Sequence, residues 1–511
     1  MPLTLPLWVG GFPINVSGHS LFDSLAATAG ETDRVLVLIQ LNGGNDGLNT
    51  VIPLDQYQNL SKVRTNVLIP ENQVLSLDGK LGLHPSMTGM LELSNQDKLC
   101  IVQSVGYPNP NLSHFRSTDI WTSASSAEEI VNSGWLGRYL EQKFEGFPEG
   151  YPNEEMPDPL SLTIGPIVST TCQGPVNNMG MAITSTEAFS QLLTGGVDEA
   201  PDTPAGHELI YIRQIIQQTQ VYLETIQNAA SKANNLSPLY PEPGVNGLSD
   251  QLKIVAQLIA GGLKTKVYVV NIGGFDTHAN QVVQGNPLQG AHANLLNRLS
   301  EAVFAFQDDL DKLGVEERVL GMTFSEFGRR IGSNSSFGTD HGAAAPQFLF
   351  GTNVNPIILG QNPQIPSQVG PQDNIPMQYD FRSLYASILA DWFEVTGEDL
   401  QNVMFGEFQH LPIIGRITEI PEPPGSSLSL YNYPNPFVGR TTIRFESKGV
   451  PLRLSIFNGQ GAQIQEITNQ TYSPGTHEIP FDSGELAAGV YFLRLQDTKH
   501  SQMRKMVIAD R

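Results

Sequence analysis

Acidic and histidine side chains occur in three short segments that each lie near the end of an apolar run or in a Gly-bearing loop. Asp46 lies in NGGNDG, Asp276 and His278 in GGFDTH, and Asp340 and His341 in TDHG. Carboxylate oxygens and imidazole nitrogens bind divalent cations. Residues two apart in extended backbone point to the same side, which favours joint binding by Asp276 and His278. The set predicts a site for one or two divalent ions, with zinc as first candidate and calcium, magnesium or manganese as alternatives.

Each of these segments also has an explanation that needs no metal. Asn45, Asp46 and the following glycine are typical of a turn that satisfies its own backbone. His292, near the start of a predicted helix, is either a further ligand or a partly exposed surface histidine. The sequence leaves these alternatives open.

A nucleophile is expected in PNPNLSHFRSTDIW. Ser113 is placed at the N-terminal cap of a helix, where the helix dipole and free amide groups favour an anion and ease attack by an alkoxide. Simple capping is the alternative, and His114 and Ser117 are close enough to participate instead. Arg116 would suit an anionic substrate oxygen, because a guanidinium can donate two parallel hydrogen bonds.

The segment SEFGRR supplies further candidates at the end of a predicted strand. Glu326 could bind metal, orient a ligand or pair with an arginine, and Arg329 could neutralise charge that develops on a substrate. Structural pairing explains both residues equally well. No P-loop, no GxGxxG and no GxSxG segment is present.

The elements that carry these residues alternate between strands and helices. Continuous apolar runs predict buried parallel strands over Arg34–Leu41, Leu99–Tyr107, Lys264–Ile272 and Arg318–Phe324. Helices are expected at Leu136–Phe144, Glu208–Asn234, Ser249–Leu263 and Ala291–Leu313. This alternation predicts an α/β fold with a mainly parallel sheet, in which ligands bind beyond the carboxyl ends of the strands.

Composition narrows the class of protein. The formal net charge of -22 repels phosphate backbones, so nucleic acid is excluded as a partner. No run approaches the roughly 18 to 20 apolar residues of a transmembrane segment. Residues 1–18 are apolar but lack the basic start of a signal peptide, and Arg34 is the first basic residue. We interpret residues 1–33 as the remnant of a trimmed export signal.

Composition changes again near the C-terminus. Residues 420–427 form a Pro-rich linker, and from residue 428 to 511 short alternating strands predict an all-β sandwich of immunoglobulin-like type. The strands are expected in TTIRF, LRLSIFN, HEIPF, GVYFLRLQ and MRKMVIA. The chain is therefore expected to hold two domains, 34–419 and 428–511.

The larger domain resembles the bacterial family known as domain of unknown function 1501, related to alkaline phosphatases and sulfatases. The resemblance is carried in order by LNGGNDGLNTVIP, LHPSM, PNPNLSHFRSTDIW, GWLGRYL, GGFDTHANQ, TFSEFGRR and GTDHG. It implies a doubly wound sheet of alkaline-phosphatase type with a Ser or Thr nucleophile, here Ser113. It further implies two metals held by an early strand-end acid and later Asp and His pairs, which correspond to Asp46, Asp276, His278, Asp340 and His341.

The tail resembles the type IX secretion sorting domain, through SLYNYPNPFVGRTTIRF, LSIFNGQGAQI, GTHEIPFDSGELAAGVYFLRL and the basic end KHSQMRKMVIAD. Such a domain implies the type IX machinery as partner and a location in the medium or on the outer-membrane surface, reached through the periplasm. The expected function is a secreted metal-dependent hydrolase of phosphate or sulfate esters. The alternative is a noncatalytic glycan-binding or assembly protein of the cell surface.

Overall fold

The computed structural model divides the chain into two compact units, Met1–Ile417 and Thr418–Arg511. It describes residues 7–9, 12–14, 33–185, 221–415 and 430–508, the last range without 434–436, 448, 459–462, 485 and 497–500. The predicted linker, residues 420–427, therefore lies outside the described residues. Leu7–Val9 and Phe12–Ile14 form a small antiparallel pair.

A nine-stranded sheet is the centre of the first unit. Its strands are β1 Val35–Asn42, β2 Leu99–Gly106, β3 Ser161–Ile164, β4 Met181–Ile183, β5 Val267–Gly273, β6 Val319–Phe324, β7 Ala345–Phe350, β8 Ile358–Leu359 and β9 Tyr379–Asp380. The order across the sheet is β8-β2-β7-β6-β1-β5-β3-β4, with β9 also paired to β2. Only β7 runs antiparallel to its neighbours β2 and β6. The prediction of a mainly parallel α/β sheet is confirmed.

Helices cover both faces of this sheet. They are α1 Thr88–Asn95, α2 His114–Ser123, α3 Trp135–Lys143, α4 221–232, α5 Gly247–Ala260, α6 Ala291–Lys312, α7 Phe381–Asp391 and α8 Gly397–Met404. Shorter helices at Gly47–Thr50 and Tyr57–Val63 lie in the connection after β1. Of the predicted helix Glu208–Asn234, residues 208–220 lie outside the described residues.

Alternate residues of β1 show how the two layers are built. Val35 and Val37 belong to the apolar core shared with α1, α4, α5 and α6. Leu36 and Leu38 belong to the core shared with α2, α3, α7 and α8. Because successive side chains of a strand point to opposite faces, a strand between two helix layers must be apolar throughout. This explains why β1 reads as an unbroken hydrophobic run.

Three short strands form a separate sheet beside the main one, Val51–Pro53, Leu75–Ser76 and Leu81–Leu83. Gly328–Arg329 and His341–Gly342 pair as an antiparallel ribbon. This ribbon matters for the site, because it sets His341 directly opposite Arg329. Among the described residues, no helix is long and apolar enough to cross a membrane.

In the described residues of the second unit, all regular secondary structure is β-strand. The strands are β10 Leu430–Tyr433, β11 Arg440–Ser447, β12 Pro451–Asn458, β13 Gln463–Thr471, β14 Gly475–Asp482, β15 Gly489–Gln496 and β16 Ser501–Ile508. Two antiparallel sheets, β10-β11-β14 and β13-β12-β15-β16, share one apolar core. In β12, Leu452 and Leu454 are buried while Arg453 between them is exposed, the alternation expected of a strand with one wet face. The all-β prediction for this region is confirmed.

Candidate metal centre

The loops that follow β1, β5 and β6 meet at the carboxyl edge of the sheet. Gly43 has a φ of +122°, and a Cβ there would lie 2.2 Å from the backbone nitrogen of Asp276. Only glycine allows the two loops to approach so closely. Glu326, after β6, is tied to the same place, because its Oε1 accepts a hydrogen bond from the Gly43 amide at 2.8 Å. The NGG segment thus lets three strand ends share one site.

Asp276 is the centre of a cluster with three histidines. Its Oδ1 lies 3.1 Å from His341 Nε2 and 3.2 Å from His278 Nε2, and its Oδ2 lies 3.5 Å from His114 Nε2. The two nitrogens of His278 and His341 are 2.8 Å apart. The Asp276 side chain is 47 % exposed, so the cluster opens to solvent.

Hydrogen bonds on the far side of each ring assign its tautomer. His341 Nδ1 lies 2.9 Å from the carbonyl oxygen of Leu112, and His278 Nδ1 lies 3.0 Å from Asp340 Oδ1. Both partners are acceptors, so each Nδ1 carries a proton, and in the neutral ring each Nε2 presents a lone pair. In neutral rings the two Nε2 atoms and Asp276 Oδ1 therefore face one another as acceptors.

Such a convergence of acceptors is stabilised by a cation, either a metal ion between them or a second proton on one ring. A second proton on His341 is disfavoured, since burial, the largest effect, lowers the pKa of His341, while hydrogen bonds to Leu112 and Asp276 only partly oppose this. Two imidazoles and one carboxylate form a donor set that suits zinc. Histidine ligands usually donate their other nitrogen to a carboxylate or carbonyl, as His278 and His341 do. The residues fit a divalent ion.

His114 lies in the cluster although the sequence offered it only as an alternative to Ser113. Its Nδ1 is 2.9 Å from Glu326 Oε1, and one ligand atom each from His114, Asp276 and His341 all lie within 4.8 Å of one another. The local signal was its position as the first residue of α2, directly after the candidate nucleophile.

Asp340 contacts His278 at Nδ1, the ring nitrogen opposite the Nε2 atom that faces the cluster. Its Oδ1 accepts from His278 Nδ1 and, at 3.0 Å, from Asn334 Nδ2. A backbone hydrogen bond from Thr339 to Thr277 holds the two loops together. Partial burial raises the pKa of Asp340, but hydrogen bonds from Asn334 and His278 outweigh it and lower the pKa. Asp340 thus orients His278 as a carboxylate.

The two serine candidates differ in access. Ser113 is exposed, caps α2 by backbone conformation, and its hydroxyl makes no capping hydrogen bond. Ser117 is fully buried, with its hydroxyl bonded to Tyr107 and to the carbonyl of Glu326. Of the two, only Ser113 has a hydroxyl open to a substrate.

Arg116 and Arg329 both donate to backbone carbonyls, which for Arg329 is the structural alternative. Arg116 donates to the carbonyls of residues 126, 127 and 129. Arg329 is buried and donates to Asp276 Oδ1 at 2.8 Å and to the carbonyls of residues 43, 44, 275 and 339. Burial raises the pKa of Asp276, yet the hydrogen bond and the charge of Arg329 lower it to about 2. Arg329 thus supports the loops of the site instead of facing a substrate, and Arg116 supports a loop through its Nη2 group.

Glu326 likewise acts within the protein. Its side chain is 4 % exposed, and Oε1 is shared by the Gly43 amide and His114. It orients His114 in the same way that Asp340 orients His278.

Asp46 stands apart from the histidine cluster, and its expected role as a metal ligand is corrected by its surroundings. Both carboxylate oxygens accept from Arg64, at 2.7 and 2.9 Å, and Oδ2 also accepts from Gln281 at 2.6 Å. The Asp46 and Arg64 side chains are fully buried. No oxygen of this carboxylate is left without a donor.

His292 is neither a ligand nor a surface residue. It is fully buried, and its Nε2 lies 2.9 Å from Asn45 Oδ1. Burial lowers the pKa of His292 to about 4 and that of nearby His84 to about 3. Asn45 Oδ1 accepts the hydrogen bond, so Nε2 is the protonated nitrogen of a neutral ring. His292 belongs to the buried polar group around Asp46.

Comparison with solved structures gives neighbours at low identity. The chain is similar to a protein in the alkaline phosphatase superfamily from Vibrio parahaemolyticus, with 10% identity over 93% of this chain and 82% of that chain and a TM-score of 0.32. It is similar to the PsFucS1 sulfatase from Pseudoalteromonas sp., with 9% identity, coverage of 90% and 86%, and a TM-score of 0.33. Comparison with curated proteins finds no match.

A further neighbour is PorZ, a bacterial surface component of the type-IX secretion system of Porphyromonas gingivalis. The identity is 18% over 16% of this chain, the TM-score is 0.13, and the match spans only 12% of PorZ. Family models cover two separate stretches of the chain. Residues 254–404 match the model described as protein of unknown function (DUF1501), and residues 432–509 match the secretion system C-terminal sorting domain, which indicates export by type IX secretion to the cell surface or the medium.

Proposed function

We propose that this exported protein is a metal-dependent hydrolase of phosphate or sulfate esters. The observation that carries the proposal is the convergence of three lone pairs, from Asp276, His278 and His341, at distances of 2.8 to 3.2 Å. Each imidazole is oriented from behind by an acceptor, which is how proteins prepare histidines for a metal. The cluster lies at the carboxyl edge of a mainly parallel sheet, where such folds bind ligands.

Asp276, His278 and His341 would hold the ion, and His114 lies on its open side. A bound divalent ion supplies Lewis acidity toward an ester oxygen and toward water. Asp340 and the Leu112 carbonyl keep the two Nε2 atoms aimed at the shared position. Arg329 keeps Asp276 ionised and fixed at 2.8 Å from its guanidinium.

Ser113 is the proposed nucleophile, because its hydroxyl is exposed at the N-terminus of α2, a ten-residue helix whose dipole stabilises negative charge there. His114 would accept the proton released on attack by Ser113 or by water. Glu326 bonded to Nδ1 leaves Nε2 of His114 free for that proton and stabilises the imidazolium that results.

A noncatalytic glycan-binding or assembly role is the second candidate. It is favoured by one observation, the engagement of Arg329 by Asp276 and by backbone carbonyls. With each nitrogen of its guanidinium engaged, Arg329 is not free to neutralise an anionic ester. Under this alternative, the ion would be structural and no ester would be cleaved.

The test measures metal content and ester hydrolysis on the same dialysed preparations. Wild type is expected to retain zinc and to hydrolyse a phosphate or sulfate aryl ester. His341→Ala should lose both metal and hydrolysis, whereas Ser113→Ala should lose hydrolysis and keep the metal. His410→Ala is the matched control, since His410 also bonds a carboxylate, that of Asp391, at 2.9 Å but lies outside the cluster.

Metal retention without cleavage of any ester in a broad panel would favour the noncatalytic role. Failure to bind metal, even when it is added back, would refute both the hydrolase and the structural ion.

A further inference from the structure

The guanidinium of Arg64 is enclosed by oxygen atoms, which we call the oxygen cage. This cage lies next to the histidine cluster around Asp276. Its Nε donates to the carbonyl of Ile331 at 2.8 Å. One terminal nitrogen donates to Asp46 Oδ2 and Asn49 Oδ1, and the other donates to Asp46 Oδ1 and to the carbonyl of Arg330. All five N–H groups of the guanidinium have an acceptor.

These acceptors are the kind that hard cations use. One carboxylate, one side-chain amide oxygen and two backbone carbonyls are typical ligands of calcium or magnesium. Here a fixed guanidinium occupies the centre, and both charges are shielded from solvent, with 0% exposure of either side chain. Although burial raises the pKa of Asp46, the charge and hydrogen bonds of Arg64 hold it below its usual value.

Gln281 connects the oxygen cage to the loops of the histidine cluster. Gln281 donates to Asp46 Oδ2 and accepts from the hydroxyls of Thr277 and Thr339. Those threonines stand next to Asp276 and Asp340 in the chain. Gln281 therefore links the Asp46–Arg64 pair to the loops of the neighbouring site.

We propose that the guanidinium of Arg64 takes the place of a second metal ion. This chain binds one divalent ion and supplies the second positive charge from its own Arg64 side chain. The inference rests on the proposed function for the first ion only. It assigns Asp46, the carboxylate that follows β1, to an internal guanidinium, and it makes Arg64 a positioning residue for the loops of Asp276 and Asp340.

The first experiment counts ions on the full chain. Protein saturated with Zn²⁺ and freed of unbound metal is analysed for zinc per chain, beside Asp46→Asn and His341→Ala. One ion is expected in wild type and in Asp46→Asn, and none in His341→Ala. Two ions in wild type would overturn the inference while leaving the proposed function in place. No ion in wild type would overturn both.

The second experiment removes the guanidinium from the oxygen cage. Arg64→Ala leaves an oxygen-lined cavity with an unpaired carboxylate, so its melting temperature should rise with millimolar guanidinium or Ca²⁺. Arg138→Ala is the matched control, because Arg138 is also buried but donates only to neutral oxygens, in Ser123, Ser133 and Val403. Its melting temperature should not respond to Ca²⁺.

Equal responses of the two variants, or none, would overturn the cation role of Arg64. The ion count on wild type requires no variant, so it tests the inference even if Arg64→Ala does not fold.

Discussion

Two strand-end carboxylates, Asp46 after β1 and Asp276 after β5, have opposite environments. Asp46 is buried with every oxygen bound to a donor, Arg64 or Gln281. Asp276 is half-exposed and faces the lone pairs of His278 and His341. A carboxylate that is saturated with donors stabilises the protein, whereas one that faces further acceptors is prepared for a cation from outside. The same residue type thus serves structure at one strand end and ligand binding at the next.

The largest effect is expected from breaking the buried pair. Arg64→Ala should lower the free energy of unfolding by about 3 to 5 kcal/mol, because it leaves the Asp46 charge buried and unpaired. Urea unfolding followed by tryptophan fluorescence measures this in the first unit, which contains all four tryptophans. Asp276→Asn, in the open cluster, should cost far less. Equal losses would abolish the distinction between the two sites.

Acid should destabilise the buried site through His292. Its folded pKa of about 4 lies below the unfolded value of 6.5, so the unfolded chain binds more protons between these values. The stability is complete above pH 6.5 and falls as pH decreases toward 4, by about 3 kcal/mol in total. His292→Gln should flatten this slope in urea unfolding between pH 7 and 4.5, with the exposed His410→Gln in the same unit as control. An unchanged slope in His292→Gln would contradict the assignment.

Metal should stabilise the open site alone. At a free Zn²⁺ concentration of about 100 times Kd, a single site adds about 2.7 kcal/mol to the free energy of unfolding. The increase should disappear in His341→Ala and persist in His410→Ala, as measured by unfolding with and without chelator. Persistence of the full increase in His341→Ala would place the ion elsewhere.

A smaller effect is expected for Asp340, which orients His278 from behind. Asp340→Ala should weaken Zn²⁺ binding roughly 10- to 100-fold, the usual result of removing such a partner, as measured by competition with a chelating dye. Complete loss of binding would instead make Asp340 a direct ligand, as the sequence analysis expected. No change would remove Asp340 from the site.

Local hydrophobic patterns predicted the fold well because they reflect which side chains are buried. The continuous apolar run of β1 indicates a strand covered on both faces, and the period of α6 indicates a helix with one apolar side. The strand-end loops with Gly43 and Gly274 were also visible, since a close backbone approach at Gly43 and a φ of +106° at Gly274 favour glycine. These features depend on neighbours in the chain, so reading them needs no knowledge of distant contacts.

The partners of charged residues were harder to predict. Arg64 was not considered, although it neutralises Asp46 from 18 residues away. Arg116 was expected to meet a substrate, and Arg329 either a substrate or a structural partner. In the structure Nη2 of Arg116 donates to three backbone carbonyls, and Arg329 donates to four carbonyls and to Asp276. The residue type shows which hydrogen bonds a side chain can donate or accept. Its actual partner depends on which distant part of the backbone the fold brings close to it.

The sequence by itself determined the α/β class, the loops that carry polar residues and the sorting tail, because hydrophobic periodicity and contiguous motifs are local properties. Only the tertiary structure decided that Asp276 faces the Nε2 atoms of His278 and His341 while Asp46 is closed by Arg64. The reason is physical: the energy of a charge depends on its burial and on groups within a few ångströms, and these groups come from segments far apart in the chain.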